Sequence, residues 1–286
     1  MINVGGFEIG NFPDGTPMIK EQHLLDIKKE NDIPGFPYRK IYWLYESMEE
    51  FPTLCMIAEH LREHGYNVSL YMPYIPNARM DRVHDGDVFT LKYFCKMLNT
   101  IGFYQVHTLD AHSNVSIALI DHCKNHSPSI FIQQAINKFN PDVIYFPDAG
   151  AMKRYQDIVA AYKFPLIYGE KLRDWDTGKI LGLSLNGAEA AKAKLKTEKP
   201  KVLMIDDICA FGGTMYYSAK ALKNVDMGDI GMYVTHCENS IFDKDKSKIL
   251  SNEGRQLISH VYTTESMPLK QKDDMITVLE GIYDRW

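Results

Sequence analysis

Residues 201–222 read KVLMIDDICAFGGTMYYSAKAL, and this stretch gives the strongest indication of the fold. The apolar block at 202–205 is short, partly β-branched and sharply bounded, which is typical of a strand covered on both faces. Asp206 and Asp207 follow it directly. The pattern therefore predicts a buried strand with two adjacent carboxylates at its carboxyl end.

A loop with two glycines, AFGGT at residues 210–214, follows the acidic pair. Gly212 and Gly213 permit a ligand to approach the backbone closely, and Thr214 is expected to cap a helix that begins near Met215. Backbone N–H groups at a helix start bind phosphate, whereas carboxylates accept sugar hydroxyls or hold hydrated magnesium. The pattern favours a phosphorylated sugar as ligand, and an ordinary strand-to-helix turn with solvated aspartates is the alternative.

The composition restricts the class of protein. A chain of 286 residues is long enough for two domains, and 45% hydrophobic with 24% charged residues is typical of a globular protein. The net charge of -5 argues against a general nucleic-acid binder. Neither a Walker loop nor a dinucleotide-binding glycine motif occurs in the sequence. An anionic ligand must therefore be bound by individually placed side chains and loops.

The five cysteines are scattered and contain no CxxC pair, which is typical of a reducing compartment. The first residues show no signal peptide, and no apolar run approaches the ~20 residues of a membrane span. We therefore expect a cytoplasmic protein without a membrane partner. His122, Cys123 and His126 have a spacing that zinc sites use, but a solvated loop beside Asp121 is the favoured interpretation.

Strand-like blocks alternate with helical patterns along the chain. The strand-like blocks are IYWLYE, VSLYMPYI, QVHTLDA, DVIYFPD, FPLIYGE, KVLMIDDI and IGMYVTH, and the helical patterns cover residues 53–64, 90–100, 130–139 and 153–162. This alternation predicts an α/β fold with parallel sheets flanked by helices.

The domain organisation follows from a break near the middle of the chain. Residues 1–136 are expected to form an N-terminal domain, and residues 137–286 a C-terminal domain that carries the glycine loop. The closing segment, 273–286, is predicted to be one amphipathic helix that packs on either domain.

Charged residues follow several predicted strands of the N-terminal half. Arg79, Asp81 and Arg82 lie in a proline-containing loop, where two guanidinium groups suit phosphate recognition and a salt bridge with Asp81 is the alternative. Asp110 and His112 follow another strand, so His112 is a candidate ligand of a metal or a phosphate at the edge of the sheet.

The C-terminal half repeats this layout. Asp148 ends a strand, Gly150 makes room beside it, and a helix follows. Lys171 and Arg173 lie two residues apart, so both face one side of an extended segment. Two cations on one side can stabilise a transferring phosphoryl group, and a solvated surface is the alternative.

Taken in order, these motifs resemble those of the ribose-phosphate pyrophosphokinases, also called phosphoribosyl diphosphate synthetases. The matching segments are FPDG at 12–15, ARMDR at 78–82, FTLK at 89–92, LDAH at 109–112, PDAG at 147–150, EKLR at 170–173, and IDDICAFGGT at 205–214. The resemblance implies two type I phosphoribosyltransferase-like domains, each a mainly parallel sheet flanked by helices. It also implies an enzyme that uses Mg2+ to move the β,γ-diphosphate of ATP to the C1 hydroxyl of ribose 5-phosphate, releasing AMP.

The resemblance assigns roles residue by residue. It places Lys171 and Arg173 as the catalytic cations, on a loop that closes over the site, and His112 and Asp148 as Mg2+ ligands. The remaining roles are ATP binding by Phe12, Asp14, Arg79, Met80, Asp81 and His112, and ribose-phosphate binding by Asp206, Asp207, Ala210, Phe211, Gly212, Gly213 and Thr214. It further implies a homo-oligomer with shared ATP sites, in which Phe12 and Asp14 reach a neighbouring subunit.

The glycine loop departs most from the family pattern, because AFGGT replaces D-T-A-G-T. Ala210 and Phe211 remove a carboxylate and a hydroxyl and add an aromatic ring. Smaller departures are Thr16 for glutamate, Met80 for glutamine and Leu172 for arginine. The altered loop favours ADP-ribose slightly over ribose 5-phosphate as acceptor. A non-catalytic regulatory homologue and a phosphoribosyltransferase are the alternative functions.

Overall fold

The computed structural model describes residues 1–25, 36–83, 86–173, 180–195 and 197–282. The described residues form two compact units. The first contains Met1–Ser127 with Ser266–Pro268, and the second contains Pro128–Glu265 with the described residues from Leu269 to Ile282. A division at Pro128 keeps the following helix whole, whereas the predicted boundary between residues 136 and 137 falls inside that helix.

The first unit is built on one mainly parallel sheet. Its strands are β1 (Ile2–Val4), β2 (Phe7–Glu8), β3 (Gly10–Asn11), β4 (Pro17–Met18), β5 (Tyr38–Trp43), β6 (Asn67–Tyr71), β7 (Val106–Leu109) and β8 (Cys123–His126). Its helices are α1 (Glu21–Leu25), α2 (Phe51–Glu63), α3 (Thr90–Thr100) and α4 (Asn114–Leu119). The strand order is β2-β1-β5-β6-β7-β8, parallel from β5 to β8, while β3 and β4 form a separate hairpin.

The second unit repeats the architecture with a larger sheet. Its strands are β9 (Val143–Phe146), β10 (Leu166–Arg173), β11 (Ile180–Asn186), β12 (Val202–Cys209), β13 (Ile230–Cys237), β14 (His260–Thr264) and β15 (Ile276–Leu279). Its helices are α5 (Ser129–Phe139), α6 (Ala149–Ala160), α7 (Ala188–Leu195), α8 (Gly213–Asn224) and α9 (Asn252–Leu257). The order is β11-β10-β9-β12-β13-β14-β15, in which only β11 runs antiparallel to its neighbour.

The central strands of the second sheet are apolar because both of their faces are covered. Residues 202–205 of β12 are fully buried, as is every residue of β13. These strands join side chains from α7 and α8 in one hydrophobic core. The predicted α/β fold with two mainly parallel sheets is confirmed.

Two predictions about secondary structure are wrong. The closing segment does not form a helix over its described residues, because Ile276–Leu279 pairs in parallel with β14; residues 283–286 lie outside the described part. The segment that contains Cys123 and His126 is not a solvated loop. It forms β8, and His126 Nε2 lies 2.9 Å from Nδ1 of the buried His107.

Candidate active site

Three carboxylates gather at the carboxyl edge of the second unit's sheet. Asp148 follows β9 after Pro147, and Asp206 and Asp207 lie in the last part of β12. Because β9 and β12 are adjacent and parallel, their carboxyl ends meet at the same edge. The sheet therefore brings together acidic residues that are more than fifty positions apart in the sequence.

The two aspartates of β12 differ in their electrostatic surroundings. Asp207 is buried, and its Oδ2 lies 2.8 Å from Nη1 of Arg154, which α6 supplies. Asp206 forms no ion pair within the described part of the chain. Burial raises the pKa of Asp206 well above its ordinary value, and the negative charges of Asp207 and Asp148 raise it further. A ligand that donates hydroxyl hydrogens or carries positive charge would relieve this repulsion.

Asp148 also determines where α6 begins. Its backbone is extended, and its Oδ1 accepts a hydrogen bond from the backbone N–H of Ala151 at 2.9 Å, which makes it the N-cap of the helix. A Cβ at position 150 would lie 3.1 Å from the same oxygen, so Gly150 leaves room for the cap. The carboxylate of Asp148 thus has a structural role in addition to any role in ligand binding.

The glycine loop connects β12 to α8. Gly212 is the N-cap of α8 and has a φ of 78°, a left-handed conformation that favours glycine. A Cβ there would lie only 2.1 Å from Cγ1 of Ile249, whereas a Cβ on Gly213 would meet nothing within 4 Å. The predicted cap at Thr214 is wrong, because Thr214 lies inside α8. Gly213 instead borders open space at the helix start, where a phosphate would be bound.

A lysine-containing segment packs against this loop. The N–H of Lys248 donates to the carbonyl oxygen of Phe211 at 2.8 Å, and Nζ of Lys246 lies 5.6 Å from the centre of the Phe211 ring. The ring is 38% exposed. Sequence reasoning did not identify Lys246 or Lys248, although the run DKDKSK at 243–248 follows a strand end and was an available signal.

Lys171 and Arg173 lie in a strand and not in a loop. Both belong to β10, where Lys171 pairs with Leu183 of β11 and Arg173 with Ile180. Because β10 neighbours β9, their backbone continues the edge that carries Asp148. The side chains of Lys171 and Arg173 lie outside the described part of the structure, so their catalytic role remains a prediction.

In the first unit, Phe12 and Asp14 occupy the tip of the β3–β4 hairpin. Phe12 is half-exposed, and Asp14 is exposed. The side chain of Thr16 donates to Asp14 Oδ1 at 2.7 Å and its backbone N–H donates at 3.0 Å. These hydrogen bonds lower the pKa of Asp14. Thr16, one of the departures from the family pattern, therefore orders the tip of this hairpin.

The other predicted ATP contacts follow two adjacent strands of the same unit. Arg79, Met80 and Asp81 come after β6, and the partly buried His112 comes after β7. Arg79 is exposed, while Asp81 Oδ1 lies 3.2 Å from Nε of Arg82. The salt bridge that the sequence left as the alternative for Asp81 is thus present, and the ATP role of these residues stays a prediction.

No family model matches the sequence. The ribose-phosphate pyrophosphokinase of Pyrococcus furiosus is 24% identical over 234 residues, which cover 80% of this chain and 77% of that protein. The enzyme of the same name from Sulfurisphaera tokodaii is 23% identical over 275 residues, which cover 94% of this chain and 86% of that protein. A solved structure of the phosphoribosylpyrophosphate synthetase from Mycobacterium smegmatis superposes with a TM-score of 0.69 at 16% identity, covering 95% of this chain and 85% of that one.

The chain is similar to the ribose-phosphate pyrophosphokinases over most of its length. The predicted resemblance is confirmed, and the superposition confirms that the fold is shared across both units. Ala210 and Phe211, which differ from the pyrophosphokinase pattern, lie in the loop just before α8. No described helix is long and apolar enough to cross a membrane.

Proposed function

We propose that this chain is a diphosphotransferase that moves the β,γ-diphosphate of ATP to the C1 hydroxyl of a 5-phosphorylated ribose and releases AMP. The homologues named ribose-phosphate pyrophosphokinase support a diphosphokinase-type transferase. The single observation that carries the proposal is the edge of the second sheet. There, Asp148, Asp206 and Asp207 border a glycine loop at a helix start. The carboxylates can accept hydrogen bonds from sugar hydroxyls, and the backbone amides of the loop can bind a phosphate. Together these groups suit a single sugar phosphate as ligand.

The roles follow from this arrangement. Asp206 and Asp207 would accept hydrogen bonds from the ribose hydroxyls, and the amides from Ala210 to Thr214 would bind the 5-phosphate. Lys171 and Arg173 would stabilise the charge that develops as the C1 oxygen attacks the β-phosphorus. Phe12, Asp14, Arg79, Met80, Asp81 and His112 would contact ATP.

The donor set at this edge also fits Mg2+. Magnesium prefers carboxylate oxygens and substrate phosphates, and the repulsion around Asp206 shows that the edge holds more negative charge than its described cations balance. Asp148 would hold the ion, which would screen the charge of the polyphosphate, and the Mg2+ role of His112 in the first unit stays a prediction. A Mg2+ titration of activity tests this assignment, as argued for Asp148 below.

The exposed hairpin tip with Phe12 and Asp14 supports a homo-oligomer in which this tip reaches the ATP site of a neighbouring subunit. An exposed aromatic side chain beside a carboxylate suits a purine and its ribose. A monomeric mass in light scattering at working concentrations, combined with full activity, would contradict this arrangement.

The altered glycine loop supports ADP-ribose as the preferred acceptor. A terminal phosphate is a dianion that needs many donors, whereas the corresponding phosphate of ADP-ribose carries less charge and continues into a nucleoside. Phe211 lacks the hydroxyl that the family has at this position, its side chain is partly exposed, and Gly213 two residues later leaves open space at the helix start. Lys246, whose Nζ lies 5.6 Å from the centre of the Phe211 ring, would be the partner of the second phosphate of a diphosphate.

The test is competition between ADP-ribose and ribose 5-phosphate for limiting ATP, with the products identified by mass. We expect ADP-ribose 1-diphosphate and AMP as the main products. Phe211→Thr should raise the relative kcat/KM for ribose 5-phosphate by about tenfold, the value of one hydrogen bond near 1.4 kcal/mol. Phe211→Leu keeps an apolar side chain without adding a donor, so it is the matched control.

Two outcomes separate the acceptor from the reaction. If ribose 5-phosphate is consumed far more efficiently and ADP-ribose neither reacts nor inhibits, the acceptor assignment is wrong but the diphosphotransferase remains. If neither acceptor yields AMP, the proposed reaction is wrong.

Lys171→Ala and Arg173→Ala should keep the fold, and each should slow the transfer by about a hundredfold or more. Near-normal turnover in both variants would contradict their catalytic role.

A further inference from the structure

A cluster of three side chains joins α1 to α2 in the first unit, apart from all residues assigned to ATP. Glu21 comes from α1, His60 lies in the last turn of α2, and His64 is the C-cap of that helix. Glu21 Oε1 is 3.4 Å from Nε2 of His60 and 3.3 Å from Nε2 of His64. The three atoms all lie within 4.8 Å of one another.

These separations match the edges of a metal-centred tetrahedron. With bonds of about 2.0–2.1 Å, two ligand atoms of a tetrahedral Zn2+ lie ~3.3 Å apart. Direct N–H···O hydrogen bonds are shorter, at about 2.7–3.2 Å. The two imidazoles and the carboxylate therefore stand at the spacing of ligands and slightly too far apart for hydrogen bonds.

The hydrogen bond on the far side of His64 prepares its ring for a metal. His64 Nδ1 lies 2.9 Å from the carbonyl oxygen of His60, which only accepts, so Nδ1 carries the hydrogen. When the ring is neutral, the lone pair on Nε2 therefore faces the carboxylate of Glu21. The ring nitrogen and the carboxylate oxygen are then both hydrogen-bond acceptors, and they repel each other. A backbone carbonyl that fixes the tautomer in this way is the usual partner of a metal-binding histidine.

His60 gives a second, independent indication. Its Nε2 atom is inaccessible to solvent, and within the described residues it has no hydrogen-bond partner. A cation between Nε2 and Glu21 would satisfy this nitrogen and remove the opposition at His64.

We propose that Glu21, His60 and His64 form a binding site for one divalent transition-metal ion of the Zn2+ class, with water in the remaining position. Imidazole ligands select such ions against Mg2+, which prefers oxygen ligands only. The ion would fasten α1 to α2. Because α1 follows the β3–β4 hairpin closely, it would also hold the base of that hairpin. The site is independent of the proposed reaction.

The test uses the full chain, freed of metal with a chelator and titrated with Zn2+ in competition with a chromophoric chelator, without ATP. We expect one tight site per chain and, with Co2+, the intense visible absorption of a tetrahedral complex. Glu21→Gln and His64→Gln should each weaken the affinity for Zn2+ by at least tenfold. Glu63→Gln removes a charge from the same helix without touching the cluster, so it should bind Zn2+ as the native chain does.

The variants are needed because the chain has ten histidines, and those outside the cluster could also bind metal ions weakly. Absence of a stoichiometric site, or equal affinities in the native chain and both variants, would overturn the proposal and leave imidazolium–carboxylate ion pairs as the explanation. Glu21 is largely exposed, so its variant keeps the test valid if His64→Gln fails to fold.

Discussion

The charged carboxylate of Asp206 destabilises the folded protein. Arg154 compensates Asp207, but Asp206 has no ion-pair partner in the described part of the chain and sits beside two other carboxylates. Its raised pKa means that the folded state disfavours the charged form. Such local destabilisation is common where a site must bind a ligand.

Asp206→Asn should therefore stabilise the protein and impair the activity. Since the folded pKa is raised, stability falls as pH rises from the ordinary carboxyl pKa through the folded value, and the full penalty is present above the folded value. We expect Tm to rise by a few degrees near pH 7, since ~1 kcal/mol corresponds to about 2–4 °C in a domain of this size. The gain should vanish in acid, below both pKa values.

Thermal unfolding across a pH series measures this change. Asp121→Asn, at an exposed position in the first unit, is the control and should leave Tm nearly unchanged. A Tm for Asp206→Asn at or below that of the native protein would show that the carboxylate is not strained.

At the junction between the elements β12 and α8, two neighbouring glycines have different roles. Gly212 is needed for stability, whereas Gly213 leaves space for the ligand. Gly212→Ala would place a Cβ against Ile249 in a left-handed backbone conformation, so we expect a clear loss of stability, of at least ~1 kcal/mol. Gly213→Ala meets no atom and should fold normally, yet its methyl would project into the space assigned to the phosphate. Unfolding free energies and KM for the acceptor, measured on both variants, check this division. Equal stability of the two variants would contradict it.

The start of α6 allows a similar separation of roles at Asp148. Asp148→Ala loses the N-cap and should cost about 1 kcal/mol, whereas Asp148→Asn keeps a capping oxygen and should preserve stability. Both variants lose the charge, so both should need more Mg2+ for half-maximal activity. Thermal unfolding and a Mg2+ titration of activity make the comparison. An unchanged Mg2+ requirement in the stable Asn variant would remove Asp148 as a metal ligand.

For the molecule as a whole, acid sensitivity should arise in part from the sheet of the first unit. His107 is buried, stacks on Tyr71 and lies against His126. Burial lowers the pKa of His107 from 6.5 to about 4, with smaller contributions from His126, Lys124 and Lys40. The unfolded chain binds this proton more readily, so stability should fall as pH drops from about 6.5 to about 4.

Replacing this histidine should flatten the acid response. His107→Gln is expected to lose less stability than the native chain over that pH window, as measured by denaturant unfolding at several pH values. His122→Asn, at a histidine outside the buried pair, serves as the control. An identical pH dependence in His107→Gln and the native chain would contradict the assignment.

Local pattern was sufficient for much of the architecture. The strands around residues 202–205 and 143–146 and the helix Thr90–Thr100 were predictable because apolar periodicity reports directly which faces are buried. The strand Cys123–His126 was not predictable, because an edge strand is polar and owes its conformation to pairing with β7. The strand Ile276–Leu279 was missed because a run of four mainly apolar residues is too short for periodicity to distinguish a strand from a helix, and pairing with β14 decides its conformation.

Local sequence patterns were sufficient to predict the α/β class, the acidic residues near the carboxyl ends of the strands and the order of motifs that is similar to that of the ribose-phosphate pyrophosphokinases. These features are local, and each lies within a short segment. Only the tertiary structure decided that Arg154 neutralises Asp207 and not Asp206, that Lys246 reaches Phe211, and that Glu21 meets His60 and His64. Each of these contacts joins residues far apart in the chain, and periodicity along a sequence carries no information about which distant side chains the packing of elements brings together.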